Sequence, residues 1–451
     1  MQHCYGSPIL LAIPSFLPYP SMPAAQNSPL ALQVYRKLNR RLLPFLVCLF
    51  IIAYIDRVNI GFAKLTMSAQ LGFSDGVYGL GAGIFFIGYF LFEIPSNLIL
   101  QRVGAKLWIA RIMIVWGLLS GSMIFVTTPM QFYLLRFLLG VGEAGFFPGI
   151  ILYLTYWYPA PRRAKATATF MTSVALAGII GGPLSGFIMT YMDGVAALAG
   201  WQWLFLIEAT PAVVLGIAVA LWLENSPTEA NWLTAEQRRW LMKQLYAEAE
   251  QKEQWGHVSG FGKAIGNAKV WLFSLVYFSI VMGLYGISFW LPQIVSELGR
   301  QSLWHTGLLT AIPYVLAAIG MILVGHSSDR LNERGWHVAL SALAGSAGLA
   351  LSAVYHDNLL LALSGLSLAG LGILSALPVF WSLPTACLSG TAAAGGIALI
   401  NACGNLAGYL SPVLVAWIKA ETGSFTHALY MLAAWLIVAA VIVLLKFRAT
   451  R

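Results

Sequence analysis

The sequence contains twelve apolar runs, each of about the 20 residues that a helix needs to cross a lipid bilayer. Only 10% of its 451 residues are charged, whereas soluble domains carry about 25%. We therefore predict an all-α polytopic membrane protein with twelve transmembrane helices. The runs lie at roughly 42–64, 78–100, 106–127, 130–153, 167–191, 201–223, 270–292, 306–326, 337–355, 358–380, 391–418 and 424–446.

One polar connection is much longer than the others and divides the chain into two halves of six helices. Within it, Ser226–Glu229 and Thr234–Gln237 both resemble the capping boxes that begin helices. The first 30 residues lack the basic region of a signal peptide. Because no structural pattern precedes Met22, Met1 and Met22 are both candidate starts of translation. These features predict a disordered tail at 1–35, a six-helix bundle at 36–223, a cytoplasmic loop at 224–269, a second six-helix bundle at 270–446 and a cytoplasmic tail at 447–451.

The basic residues mark one face of the membrane. Twenty of the 26 Lys and Arg residues fall on one side, whereas Lys64, Arg300 and Lys419 fall on the other. Because cytoplasmic loops carry the excess of Lys and Arg, we expect both termini to be cytoplasmic in a protein of the bacterial inner membrane. The net charge of +9 is spread among these connections and does not indicate a nucleic-acid partner.

The sequence lacks the signatures of several other classes. Its four Cys residues have no CxxC spacing and its seven His residues no paired ligand spacing, so we expect neither a disulfide framework nor a metal site. A G-x-x-x-x-G-K-[ST] phosphate loop is absent, which argues against ATP-driven transport. No catalytic constellation is visible, so we predict neither enzymatic activity nor a cofactor.

An acid and a base stand side by side in the first apolar run, within Tyr54–Gly61. Placing Asp56 or Arg57 in lipid costs about 2.5–3.5 kcal/mol each, so such residues usually face a bundle interior and serve a function. The alternative is that the two only neutralise each other at the membrane surface, where Arg can extend toward water.

A second pair of charges lies in the fourth run. Arg136 and Glu143 are seven residues apart, which puts them on one helix face about 10.5 Å apart. Apolar surroundings favour a protonated Glu143, whereas a nearby Arg favours the carboxylate. A group balanced in this way exchanges its proton near neutral pH, as a proton-coupled carrier requires. The alternative is a fixed Glu–Arg pair that holds two helices together.

Two loops at matching places in the halves resemble each other. The segments 97–106 and 325–334 both resemble the G-x-x-x-D-R-x-G-R-K loop of the major facilitator superfamily, although the first departs from it at its Gly and Asp positions. The resemblance implies two bundles with a substrate site between them near mid-membrane. It also implies a gating role for four charged residues, Arg102, Lys106, Asp329 and Arg330.

Four further stretches resemble the anion:cation symporter family within that superfamily. They are residues 54–61, 92–97, 142–149 and 201–208. The resemblance is closest to bacterial tartrate, sugar-acid and hydroxyphenylacetate permeases, and it implies that Asp56 and Glu143 handle protons. It assigns substrate binding to Arg57, Tyr54, Asn59, Arg136, Trp381 and Asn401. Some sugar-acid carriers have a Gln where this chain has the apolar stretch 174–176, which leaves room for a less polar or aromatic acid.

Glycines recur at four-residue spacing in two runs, at Gly178, Gly182 and Gly186 and at Gly404 and Gly408. Small residues at this spacing let helices approach closely, so we interpret them as packing residues. The first set also partly matches a signature of drug exporters of the same fold.

These patterns favour a monomeric, proton-coupled importer of a small organic anion. A proton-driven drug or metabolite exporter is the alternative, and the charges of Arg57 and Arg136 argue against a cationic drug.

Two further acidic residues lie in apolar runs and are not assigned to substrate or proton binding. We predict that Glu93 caps a helix or forms a gate, and that Glu208 is structural.

Overall fold

The computed structural model describes residues 28–254, 265–299, 302–387 and 391–447. These residues form helices and no β-strand, and twelve of the helices are long and apolar enough to cross a membrane. The prediction of an all-α protein with twelve transmembrane helices is therefore confirmed. Spans 1 to 12 are Pro29–Leu71, Asp75–Val103, Ala105–Phe125, Pro129–Trp157, Lys165–Tyr191, Gly200–Trp222, Ala268–Gly299, Leu303–Leu331, Gly335–Val354, Leu359–Thr385, Gly395–Thr422 and Thr426–Lys446.

Several spans are built from more than one helix. Span 1 consists of Pro29–Arg41, Leu43–Val58 and Ile60–Leu71. Span 4 consists of Pro129–Glu143 and Phe146–Trp157. Three other spans also contain two helices each: Ala105–Gly121 and Ser122–Phe125 in span 3, Ala160–Met171 and Ser173–Tyr191 in span 5, and Leu359–Phe380 and Ser382–Cys387 in span 10. The helix of span 11 is Thr391–Thr422, and the central helix between the halves is Ala235–Gln254.

The chain becomes helical earlier than predicted. Ser28 caps the first helix, because its Oγ accepts the N–H of Ala31 at 3.2 Å. Residues 29–35, which we assigned to a disordered tail, are therefore helical. Residues 1–27 of that tail, with both candidate start residues, lie outside the described residues, as do 255–264, 300–301, 388–390 and 448–451.

Of the two predicted capping boxes, one forms. The side chains of Thr234, directly before the central helix, and of Gln237, in its first turn, each accept the backbone N–H of the other residue at 3.2 Å. Ser226 makes no cap bond to the short 3-10 turn that follows it. The Glu229 carboxylate instead accepts the N–H of Asn225 at 2.9 Å.

The twelve spans pack as two groups of six. In the first, span 3 lies against span 6 and span 2 against span 4; in the second, spans 9 and 12, 8 and 10, and 7 and 11 are paired. The seam between the groups is formed by span 5 on span 8, span 2 on span 11 and the end of span 1 on span 7. We call the face with Pro29, the central helix and Lys446 the terminal side, and the other face the opposite side.

Glycines bring the two groups together. A Cβ added to Gly182 would lie 2.7 Å from the carbonyl oxygen of Gly307, and one added to Gly186 would lie 2.7 Å from that of Leu303. A Cβ added to Gly408 would likewise lie 2.5 Å from the nearest ring atom of Phe86. Since a side chain would force the helices apart, the interpretation of these glycines as packing residues is confirmed.

Candidate functional site

The centre of the candidate site is a buried ion pair between spans 1 and 4. The guanidinium of Arg57 pairs with the carboxylate of Glu143, and the two residues are 8% and 1% exposed. Asp56 and Arg57 therefore do not neutralise each other. Glu143 therefore pairs with an Arg of another span, and the pair joins spans 1 and 4; whether Glu143 also exchanges a proton stays a prediction.

A break in span 4 places Glu143 at the end of a helix. The helix Pro129–Glu143 stops there, and Gly145 adopts a left-handed conformation with φ +84°. A side chain at Gly145 would also collide with Ser96 of span 2, whose Cβ would be 2.8 Å away. Glycine thus permits both the unusual conformation and the close approach that fix this break.

Arg57 connects the two halves of the molecule. Its Nη1 donates to the hydroxyl of Tyr285 in span 7 at 3.1 Å. The rings of Phe85 and Tyr89 in span 2 lie 5.4 and 5.5 Å from its Cζ, within cation–π distance. A change in the seam would therefore act directly on this guanidinium.

Asp56 faces the interior of the first half. Its Oδ1 accepts the hydroxyl of Ser120 in span 3 and the amide of Asn59 at 3.3 Å. Two donors and no direct Arg contact make Asp56 chemically distinct from Glu143, although the sequence resemblance gives both the same role.

Arg136 is a fully buried cation with most of its hydrogen-bonding capacity unused. Its Nε donates to the carbonyl of Gly81 at 3.1 Å, while Nη1 and Nη2 have no hydrogen-bond partner within the described ranges of the chain. Its Cζ lies 5.2 Å from the Phe85 ring, which therefore contacts both Arg136 and Arg57. Because unpaired buried donors are costly, this region of the site favours anions.

Three hydroxyl groups meet in the seam beside Arg57. The hydroxyl oxygens of Tyr54 and Ser288 are 3.2 Å apart, and the hydroxyl of Tyr314 donates to the hydroxyl of Ser288 at 3.3 Å. Of these hydroxyl residues, Tyr54 was predicted from the sequence to bind substrate, whereas Ser288 and Tyr314, like Tyr285, were not. Their only sequence signal is a polar atom within an apolar run, which many packing residues share.

Asn401 and Trp381 lie toward the terminal side. The amides of Asn401 and Asn405 in span 11 each donate to the carboxylate of Glu93 in span 2, both at 2.7 Å. The ring of Trp381 packs on Tyr277, with centroids 4.9 Å apart. Glu93 thus joins the two halves, which favours the gate over the helix cap among its two predicted roles.

The loop motifs make local contacts. Asp329 pairs with Arg334 of the same loop at 2.6 Å, while Arg330 is exposed. In the first loop Arg102 is exposed, and the backbone N–H of Lys106 donates to Asn225 at 3.0 Å. The gating role of these residues stays a prediction.

A second charged cluster closes the seam on the opposite side. Lys64 Nζ lies 2.6 Å from Asp75, and Lys419 Nζ lies 2.5 Å from Glu297 and 3.7 Å from Asp75. Asp75 and Lys64 belong to the first half, whereas Glu297 and Lys419 belong to the second. The sequence placed both Lys residues on this side but gave no indication that they meet.

Comparisons with known proteins fit this architecture. The Major Facilitator Superfamily model matches residues 46–412. A putative tartrate transporter of Agrobacterium vitis is 49% identical over 418 residues, which cover 93% of this chain and 92% of that protein. The putative metabolite transport protein NicT of Pseudomonas putida is 47% identical, with 91% and 94% covered. A quinolone resistance transporter of Acinetobacter baumannii is 42% identical, with 88% and 91% covered.

The fold is also that of a solved transporter. A partially occluded inward open structure of the xylose transporter XylE from E. coli superposes with a TM-score of 0.72 at 15% identity, over 91% of this chain and 98% of that one. The family match and the relatives are all transporters, and the twelve spans agree with them. The chain is therefore an integral multi-pass membrane transporter, not an enzyme, and it belongs to the major facilitator superfamily.

Proposed function

We propose that this transporter imports a small organic anion together with protons. The substrate class is a carboxylate such as a hydroxy acid, a sugar acid, tartrate or an aromatic acid. The observation that carries the proposal is the buried Arg57–Glu143 pair at the seam of the two halves. The name of the 49% identical relative, a putative tartrate transporter, supports the same class.

The ion pair suggests how substrate and proton are coupled. A substrate carboxylate offers Arg57 the same two oxygens that Glu143 offers, and guanidinium binds such groups through paired, charge-assisted bonds. If the substrate replaces Glu143 on Arg57, Glu143 becomes a buried carboxylate without its cation. Breaking a buried pair in this way costs about 3–5 kcal/mol, which protonation of Glu143 relieves.

Other residues supply the rest of the binding site. Tyr285, Ser288 and Tyr314 present hydroxyls from the second half to a ligand held by Arg57. Arg136 has two unpartnered nitrogens and adds positive charge behind Phe85. We infer that Asn401 and Trp381 form the wall of the binding site on the terminal side. Asp56 would bind a second proton.

We place the terminal side in the cytoplasm and the protein in the bacterial inner membrane, as a monomer. The excess of Lys and Arg in the connections on that side supports the orientation. Reporter fusions after Gln254 and Arg451 should both score cytoplasmic, and a fusion near Asp193 should score periplasmic. A reversed signal at any of these sites would contradict the orientation.

Drug export is the second candidate, and one comparison favours it. The relative from Acinetobacter baumannii, at 42% identity, is named for quinolone resistance. An exporter would use the same inward flow of protons to drive the drug outward. Two buried Arg residues still favour a ligand with a negative group over a lipophilic cation.

Proteoliposomes with an imposed proton gradient test both candidates. We expect one of four radiolabelled acids (tartrate, galactonate, rhamnonate and hydroxyphenylacetate) to accumulate when the proton gradient points inward, and an uncoupler to abolish the accumulation. Gradient-independent equilibration of these acids would contradict proton coupling. Proton-driven efflux of a quinolone, without uptake of any of the four acids, would establish the exporter instead.

A further inference from the structure

Glu208 of span 6 is a buried carboxyl group, and no cation lies beside it in the part of the chain that the structure describes. It is 3% exposed, its Oε1 accepts the hydroxyl of Ser185 at 2.8 Å, and its Oε2 has no hydrogen-bond partner among the described residues. The side chains that interact with it are Ser185, Asn59 and Asp56, none of which is positively charged. A carboxylate in such surroundings is strongly disfavoured relative to the neutral acid.

Two buried oxygen atoms of this cluster have no donor among the residues that the structure describes. Asn59 donates its amide N–H to Asp56 at 3.3 Å, and its Oδ1 has no donor. Oε2 of Glu208 is likewise an acceptor without a donor. A proton on Oε2 would remove the charge of a carboxylate that no cation among the described residues balances.

The same bonds favour the opposite charge state for Asp56. It accepts hydrogen bonds from Ser120 and Asn59, and donors of this kind stabilise a carboxylate. Asn59 interacts with both carboxyls, and the two donors on Asp56 favour a charged Asp56 beside a protonated Glu208. Asp56 is the titratable group that faces Glu208, and Glu143 and Arg136 face Asp56 in turn.

A small cavity connects this cluster with the seam. Asn59 and Ser185 line it from the first half, and Ser288, Thr310 and Tyr314 line it from the second. Its volume of about 20 Å³ is room for about one water molecule. Toward the opposite side, the contact of Gly186 with Leu303 closes the seam. Separation of spans 5 and 8 there would expose Ser185 and Asn59 to water, with Glu208 directly behind them.

We propose that Glu208 is a third proton-binding group, which takes a proton from the opposite side and shares it with Asp56. When the proton moves, the O–H bond of Glu208 breaks and an O–H bond forms on Asp56, and the negative charge moves from Asp56 to Glu208. The net charge of the two carboxyls stays the same. This inference rests on the proposed proton coupling and replaces the purely structural role predicted for Glu208.

Glu208→Gln tests the proposal, because the amide imitates the protonated acid and cannot release a proton. In proteoliposomes, counterflow of the acid that the wild type accumulates (tartrate first) should stay within about twofold, since exchange needs no net proton movement. Proton-driven uptake should fall by about tenfold or more, because a positioned proton-transfer group contributes at least that much. The dependence of uptake on external pH should flatten.

Two further variants make the result decisive. Glu236→Gln, at an exposed position of the central helix, is the matched control and should behave like the wild type. If Glu208→Gln does not reach the membrane, Glu208→Asp tests the proposal in its place. This variant keeps a carboxyl group, so it should give an active carrier in which the dependence of uptake on external pH is displaced.

Two results would overturn the proposal. One is a Glu208→Gln variant with the uptake rate and pH profile of the wild type, and the other is an undisplaced profile in Glu208→Asp. If the wild type itself shows no proton-driven accumulation, the proposed function fails, and the inference about Glu208 fails with it.

Discussion

Arg57 of span 1 and Glu143 of span 4 form a buried ion pair at the seam between the two halves. The same guanidinium donates to Tyr285 of span 7, so it contacts both halves at once. A buried charge that loses its partner is destabilised by about 3–5 kcal/mol. A ligand that takes Arg57 from Glu143 must therefore also change the protonation of Glu143 or pay that penalty.

The first prediction concerns the shape of the cation. We expect Arg57→Lys to lower uptake at least about tenfold, because a Lys ammonium keeps the charge but lacks the planar fork that binds a carboxylate through two parallel bonds. The measurement is the initial uptake rate at equal amounts of inserted protein. Arg111→Lys is the matched control, since Arg111 lies in span 3 with its guanidinium over Trp108. Near-normal uptake by Arg57→Lys would remove Arg57 from the substrate site.

The second prediction isolates the contact between the halves. Tyr285→Phe keeps the ring that packs against Phe86 and Phe289 but removes the hydroxyl that accepts from Arg57. The loss of one hydrogen bond to a charged group costs about 1.5–3 kcal/mol, so KM should rise roughly ten- to 150-fold. Tyr133→Phe, at a tyrosine of span 4 that packs against Phe132, should leave KM unchanged. An unchanged KM in Tyr285→Phe would show that this hydroxyl does not take part in binding.

Much of the fold follows from the sequence because the membrane imposes simple rules. Spanning helices need long apolar runs, and Lys and Arg residues concentrate on one side. The start of span 1 was misjudged because its first helix, Pro29–Arg41, is polar and follows a cap at Ser28 rather than an apolar run. Hydrophobicity alone does not detect such a helix.

The charged residues of the site were predictable, but their pairing was not. Asp56, Arg57 and Glu143 stand out because few charges occur inside apolar runs. Which carboxylate meets Arg57 depends on the rotation of span 1 and on the break at Gly145, and neither is encoded in residue spacing. Tyr285 was missed because a tyrosine in an apolar run is usually a packing residue.

The third prediction concerns the cluster on the opposite side. Lys419→Gln removes the contacts with Glu297 and Asp75 that join the halves. Because Glu297 is about half exposed, each ion pair is worth at most about 1 kcal/mol, so opening of the seam should increase about two- to fivefold. The probe is Thr310→Cys, at a buried position in the seam, introduced after replacement of the four native cysteines. When a membrane-impermeant maleimide is added on the opposite side, this cysteine should be labelled faster in the Lys419→Gln variant than in its parent.

The matched control for this experiment is Lys269→Gln, at an exposed position at the start of span 7 on the terminal side. It should leave the labelling rate of Thr310→Cys unchanged. If Lys419→Gln labels no faster than this control, the ion pairs do not hold the seam closed.

The last prediction separates substrate exchange from proton coupling. Glu143→Gln imitates the protonated carboxyl and leaves Arg57 free for the substrate, so the variant should still bind substrate and exchange it in counterflow. It should fail to accumulate substrate against a gradient, because it cannot release a proton inside, and its accumulation ratio should fall to about one. Counterflow and proton-driven uptake are measured in the same proteoliposomes, with Glu236→Gln as control. If Glu143 only holds spans 1 and 4 together, the variant should keep uphill transport and lose only thermal stability. Retained accumulation would therefore exclude Glu143 as a proton carrier, whereas its selective loss would link the ion pair to the driving force.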